Sequence, residues 1–131
     1  MWVIRALLAL IFAAAVILID LPLHLITSLI EKAKPGSCTE FRHSYARFAM
    51  EGIWTLAGGK AIILGLDKVP TDKAVLFVGN HRSIFDIILA GSLITYPVGF
   101  VAKKELQGTP ITLIMEEIHC LFLDREDPRQ G

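Results

Sequence analysis

An α/β fold with a mostly parallel sheet flanked by helices, preceded by a membrane helix or hairpin, is what this sequence predicts. Two observations carry the prediction. Between residues 61 and 124, short aliphatic runs alternate with longer apolar stretches of helical character, the order produced when covering helices join parallel strands. Ahead of them, residues 6–19 form an unbroken apolar run in a chain that is 53% hydrophobic, and residues 21–30 extend it.

The run at 6–19 is shorter than the roughly 18 to 20 residues of a plain spanning helix. Asp20, Pro22 and His24 interrupt its continuation. Three arrangements fit: one kinked span over residues 2–30, a helical hairpin breaking at Asp20-Leu21-Pro22, or an interfacial anchor. Asp20 as a cap with Pro22 in the following turn favours the break. Arg5, the apolar run and Ala13-Ala14-Ala15 also carry elements of a cleaved signal peptide, but the apolar pattern continues past those alanines with no polar cleavage region. Lys32, Lys34, Arg42 and Arg47 follow the segment and only Arg5 precedes it, which places the rest of the chain on the cytosolic side.

Lys34-Pro35-Gly36-Ser37 is a natural linker. Phe41, Tyr45 and Phe48 recur at helical spacing in an amphipathic helix over 40–57, a stripe more often core than lipid contact, and Gly58-Gly59 ends it. Strands are predicted at 61–66 and 74–78, a helix at 84–95 starting after Ser83, a strand at 98–102, a helix at 104–117 and a strand at 120–124. The chain thus divides into a hydrophobic anchor at 1–31, a linker and amphipathic helix at 32–58, and a sheet-forming domain at 59–131.

Thirteen basic and thirteen acidic residues leave no net charge, so the broad basic face of a nucleic-acid partner is missing. Cys38 and Cys120 have neither metal-ligand spacing nor a disulfide framework, and His119-Cys120 with Cys38 lacks the paired close spacings of a zinc site. No metal and no cofactor is expected.

The chemistry concentrates in Gly79-Asn80-His81-Arg82-Ser83-Ile84-Phe85-Asp86. On one continuous helix, His81 and Asp86 would lie about 140° apart around the axis, on different faces. With a strand ending near Val78 and a helix starting at Ile84, His81 falls in the turn and Asp86 in the first helical turn, where the chain can fold imidazole and carboxylate together. The helix N-terminus favours Asp86 as an anion. Bonded to one ring nitrogen, it would fix the tautomer and leave the other nitrogen to take a proton. Ser83-Ile84-Phe85-Asp86 is also close to a capping box, with Asp in place of Glu or Gln. On spacing alone the cap is the more economical reading.

Asn80-His81-Arg82-Ser83 followed by Asp86 resembles the His-x4-Asp motif of the glycerolipid acyltransferases, specifically the 1-acylglycerol-3-phosphate (lysophosphatidate) acyltransferases. Gly65-Leu66-Asp67-Lys68-Val69-Pro70 resembles the segment upstream of that motif, and Phe100-Val101-Ala102-Lys103-Lys104-Glu105-Leu106 the segment downstream. Leu121-Phe122-Leu123-Asp124-Arg125 is similar to the family's second block, with His119-Cys120 where small residues are common. The resemblance covers residues 41–131. The Pro-Glu-Gly-Thr block and the later Val-Pro segment do not occur, and Asp127-Pro128 announces a helix that only Arg129, Gln130 and Gly131 follow. The expectation is the N-terminal part of a longer enzyme, with 59–131 the first part of its acyltransferase domain.

The resemblance implies a catalytic pair, His81 as general base and Asp86 as its orienting acid. It also implies phosphate binding by Arg125, by Lys103 in preference to Lys104, and at lower rank by Arg82 beside the base. The acyl donor would be acyl-CoA or acyl-carrier protein, the acceptor a lysophospholipid, and membrane lipids the surroundings. A sister activity, such as acylation of glycerol 3-phosphate, shares the catalytic motif. A membrane-anchored non-catalytic module, in which the histidine motif merely caps a helix, is the alternative of another class.

Overall fold

The computed structural model describes residues 1–80, 82–124 and 127. Its longest element is α1, Trp2–Ala33, a helix long and apolar enough to cross a membrane. Pro22 lies inside it, so the expected break at Asp20-Leu21-Pro22 does not occur. Packing overrides the local signal. Ala9, Val16, Asp20 and Thr27 are buried in a single stripe that stays in register only if the helix runs on through the proline. Much of the remaining surface is exposed and apolar, including Leu7, Ile11, Leu18 and Leu25.

A turn over residues 34–38 reverses the chain into α2, Thr39–Ala57. The Glu31 carboxylate braces this turn, accepting the Gly36 and Cys38 N–H groups at 2.6 and 2.7 Å. α2 returns antiparallel along α1. The Arg42 guanidinium donates to the Thr27 hydroxyl at 2.7 Å, the Tyr45 hydroxyl donates to the Val16 carbonyl at 2.7 Å, and Phe48 meets Phe12 edge-on with centroids 5.7 Å apart. Gly58 ends the helix in the left-handed conformation (φ 79°), with its N–H on the Thr55 carbonyl and the Gly59 N–H on that of Trp54. Of the expected aromatic stripe, Tyr45 is half-buried, whereas Phe41 and Phe48 are exposed.

The helix α3, Ile84–Leu93, packs on the other side of α2. Trp54 and Phe85 meet edge to face across this seam at 6.4 Å. The last elements are strand β1, Val101–Lys103, helix α4, Thr112–Glu117, and strand β2, Leu121–Leu123. The two strands pair in parallel, with Val101, Ala102 and Lys103 opposite Leu121, Phe122 and Leu123, and α4 forms the crossover. Val16, Ala46, Ala49, Ile114, Ile118 and Cys120 form the core between α1, α2, α4 and the start of β2.

Three expectations need correction. Residues 61–66 and 74–78 do not form strands: apart from a 3-10 turn at Leu66–Lys68, they take no regular structure, and Ile62, Leu64, Leu76 and Val78 are exposed. An aliphatic run becomes a strand only where a neighbour takes up its N–H and C=O groups, and among the described residues only β1 and β2 do so for each other. The helix expected at 104–117 is split into a 3-10 turn, Lys104–Leu106, and the short α4. Gly108, at φ 80°, and Pro110 separate them. The helix at 84–95 ends at Leu93, ahead of Pro97.

A polar cluster joins α1, α2 and α4. The Glu117 carboxylate, 6% exposed, is within 2.7 Å of His24 Nδ1, accepts the Thr27 hydroxyl at 3.2 Å, and lies 3.4 Å from Arg42 Nε.

Candidate active site

The site is set by the start of α3. Ser83 has extended backbone (φ −148°, ψ 152°), the usual N-cap conformation, and its hydroxyl accepts the Phe85 N–H at 3.2 Å. Asp86 closes the capping box from three residues on. Its Oδ2 accepts both the Arg82 and the Ser83 N–H groups at 2.8 Å. The carboxylate is therefore held against the backbone of the residues that directly follow position 81.

The cap forms, and both of these bonds fall on Oδ2. His81 itself lies outside the described residues, as does Arg125.

The two parallel strands place the other candidates. Lys103 is the last residue of β1, exposed, opposite Leu123 in the register, and among the described residues it makes no ion pair. Its neighbour Lys104 donates to Asp124 Oδ2 at 2.9 Å, and that bond raises its pKa further. Lys103 and Asp124 thus lie at the carboxyl end of a parallel pair, the edge at which open α/β sheets commonly hold ligands. Arg82 is exposed and joins Asp86 through its backbone. No hydrogen bond or ion pair among the described residues links Arg82 to Lys103.

Both thiols are free and buried, and burial pushes the Cys120 pKa above its ordinary value. A thiol kept protonated is a poor nucleophile. What the sequence did not suggest is the Glu117 cluster. Its signals were Asp20 and His24, polar residues in an apolar run.

Residues 60–131, more than half of the chain, match the family model described as Acyltransferase. The chain belongs to the acyltransferase family. The matched segment contains His81, Asp86, Lys103 and Arg125 and leaves α1 and α2 outside it. Among curated relatives, the chain is 39% identical over 80 residues to the probable 1-acyl-sn-glycerol-3-phosphate acyltransferase of Mycoplasma pneumoniae, covering 57% of this chain and 30% of the relative. It is 34% identical over 88 residues to the protein of the same description from Mycoplasma genitalium, covering 63% of this chain and 33% of the relative. The chain thus spans about a third of the length of these relatives. No solved structure matches it.

Proposed function

We propose that the protein moves a fatty acyl group from acyl-CoA or acyl-carrier protein to the sn-2 hydroxyl of 1-acylglycerol-3-phosphate, giving phosphatidic acid. The observation that carries the reading is Asp86, five residues after position 81 in sequence and held by the Arg82 and Ser83 N–H groups, inside the segment that matches the acyltransferase family. The description shared by both relatives supports the choice of acceptor.

In this mechanism His81 takes the proton of the acceptor hydroxyl as its oxygen attacks the thioester carbonyl. Asp86 orients the imidazole and stabilises the imidazolium. The C–O bond forms, the C–S bond breaks, and the proton passes from imidazolium to the departing thiolate. No acyl-enzyme is required, in keeping with the buried, protonated Cys120. Arg125 grips the acceptor phosphate through its planar fork, and Lys103 adds a point charge. Arg82, next to the base in sequence, ranks below these two as a third contact to the same anion.

The anchor, residues 1–31, holds the protein at a membrane with the acyltransferase domain on the cytosolic face, so that the lipid acceptor arrives by lateral diffusion. Of the arrangements open to it, the interfacial one fits best. α2 lies along α1 from Thr27 to Phe12 and carries Glu40, Arg47 and Glu51, which would be costly at the centre of a bilayer. The test of function is a comparison of 1-acylglycerol-3-phosphate and glycerol 3-phosphate as acceptors for one labelled acyl donor. Preference for the lysophospholipid supports the reading, and preference for glycerol 3-phosphate replaces it with the sister activity.

A further inference from the structure

Glu117 ends α4, four residues before β2 begins, and nearly all of its partners come from the anchor region. His24 and Thr27 belong to α1 and Arg42 to α2. Thr27 is central to the cluster. Its hydroxyl accepts from Arg42 Nη2 at 2.7 Å and lies 3.2 Å from Glu117 Oε1, which shares the single hydroxyl proton with the Leu23 and His24 carbonyls at 3.0 and 3.2 Å, so one side chain stands between the acid and the base. Asp20, one turn before His24 and 2% exposed, adds a second buried carboxylate in the same stripe of α1 as Thr27.

This is an expensive way to hold two helices together. Burying two carboxylates and a guanidinium costs several kcal/mol per ion in desolvation, on the order of what their mutual attraction returns, and apolar side chains of the same volume often serve as well. What a charged cluster adds is one fixed geometry. Each hydrogen bond sets a distance and a direction, whereas the exposed apolar face of α1 could slide or rotate at little cost.

The geometry fixed here lies between the membrane and the acceptor site. From Glu117 the chain passes through His119, in the left-handed conformation at φ 58°, and Cys120 into β2, whose parallel partner ends at Lys103. The Cys120 N–H on the Met115 carbonyl and the Leu121 N–H on the Phe100 carbonyl, at 2.9 and 2.8 Å, tie α4 to β2 and β2 to β1. These bonds connect the helix that Glu117 ends to the starts of the two strands whose other ends are Lys103 and Leu123.

We propose that Glu117, gripped by His24, Thr27 and Arg42, is a positioning residue that sets the phosphate-binding end of β1 and β2 at a defined height and tilt above the membrane surface. This rests on the acyltransferase reading. The cluster matters for an acceptor embedded in a bilayer, whose phosphate lies at a fixed depth, and is dispensable for an acceptor that diffuses freely to the site.

The experiment uses the protein expressed from its complete reading frame and compares two acceptors: 1-acylglycerol-3-phosphate with a long chain in phosphatidylcholine vesicles, and a short-chain analogue below its critical micelle concentration. For Glu117→Gln, the KM for the vesicle acceptor should rise roughly five- to tenfold. The KM for the monomeric acceptor should stay within about twofold, with kcat unchanged on both. Thr27→Val, which removes the hydroxyl and keeps the volume, should show the same split, and it decides the matter if Glu117→Gln does not fold. Equal losses on both acceptors, or no loss on either, would overturn the positioning role while leaving the acyltransferase intact. Failure of the unsubstituted protein to acylate either acceptor would overturn the acyltransferase reading, and the positioning role with it.

Discussion

The Asp86 carboxylate accepts the Ser83 N–H at 2.8 Å, so a side chain proposed to orient a catalytic base also closes the first turn of α3. The two duties are separable. Ser83→Ala removes the hydroxyl that accepts the Phe85 N–H and should cost about 1 kcal/mol of stability with turnover changed only modestly. Asp86→Asn keeps an oxygen acceptor for the backbone but loses the charge. It should melt within a few degrees of the parent and lose roughly 10²- to 10⁴-fold in kcat. Thermal melts and initial rates on the same preparations separate the roles, and near-normal turnover by Asp86→Asn would reduce the motif to a helix cap.

The junction of the two strands depends on Gly99. A Cβ there would stand 2.6 Å from the His119 carbonyl oxygen and 3.0 Å from that of Ile118, both backbone atoms. Neither can swing aside as a side chain can. Gly99→Ala should therefore destabilise the protein by roughly 1–3 kcal/mol and disturb the pairing of β1 with β2. Chemical denaturation measures the first effect. An unchanged midpoint would show that this approach is looser than described.

His43 gives a sign for the pH dependence of stability. Burial, and next the nearby His119, lower its pKa below 6.5 in the folded protein. Its Nδ1 accepts the Val98 N–H at 3.2 Å, a bond that requires this nitrogen to be unprotonated. The unfolded chain takes up the proton first, so the stabilisation is complete above about pH 6.5 and declines as the pH falls toward the lower folded value. Melting temperature should drop on that acid limb. His43→Asn, with an oxygen to accept the Val98 N–H and no titration, should make the drop shallower.

The two adjacent lysines should behave differently. Lys104 is engaged with Asp124 at the surface, and Lys104→Ala should leave both acceptor KM and melting temperature nearly unchanged. Lys103→Ala should raise the acceptor KM several-fold. Arg125→Ala should raise it more, by roughly ten- to a hundredfold, with a smaller effect on the donor KM. Steady-state kinetics with each substrate varied in turn checks this, and equal effects of Arg125→Ala on both substrates would remove its phosphate role.

How much of this was legible depended on whether the signal was local. α2 was clear because helical spacing and Gly58-Gly59 agree with the structure to within a residue at either end. The cap at Ser83 and the position of Asp86 were legible for the same reason. Residues 61–66 and 74–78 misled because aliphatic content marks a segment that can be a strand, while pairing is decided by a distant partner. Pro22 misled because a local break signal gave way to a stripe buried over more than four turns of α1. The partners within the Glu117 cluster were not legible: His24 and Glu117 lie 93 residues apart, and no spacing rule connects them.

The central claim is that His81 is a general base for acylating a lipid hydroxyl, and one measurement tests it most directly. The protein from the complete reading frame and its His81→Ala variant are given acyl-CoA labelled in the acyl group together with 1-acylglycerol-3-phosphate in vesicles, and labelled phosphatidic acid is followed over time. The unsubstituted protein should form it, and His81→Ala should be slower by at least roughly 10²- to 10⁴-fold with its fold intact by circular dichroism. Phosphatidic acid formed by His81→Ala at a near-normal rate would contradict the account.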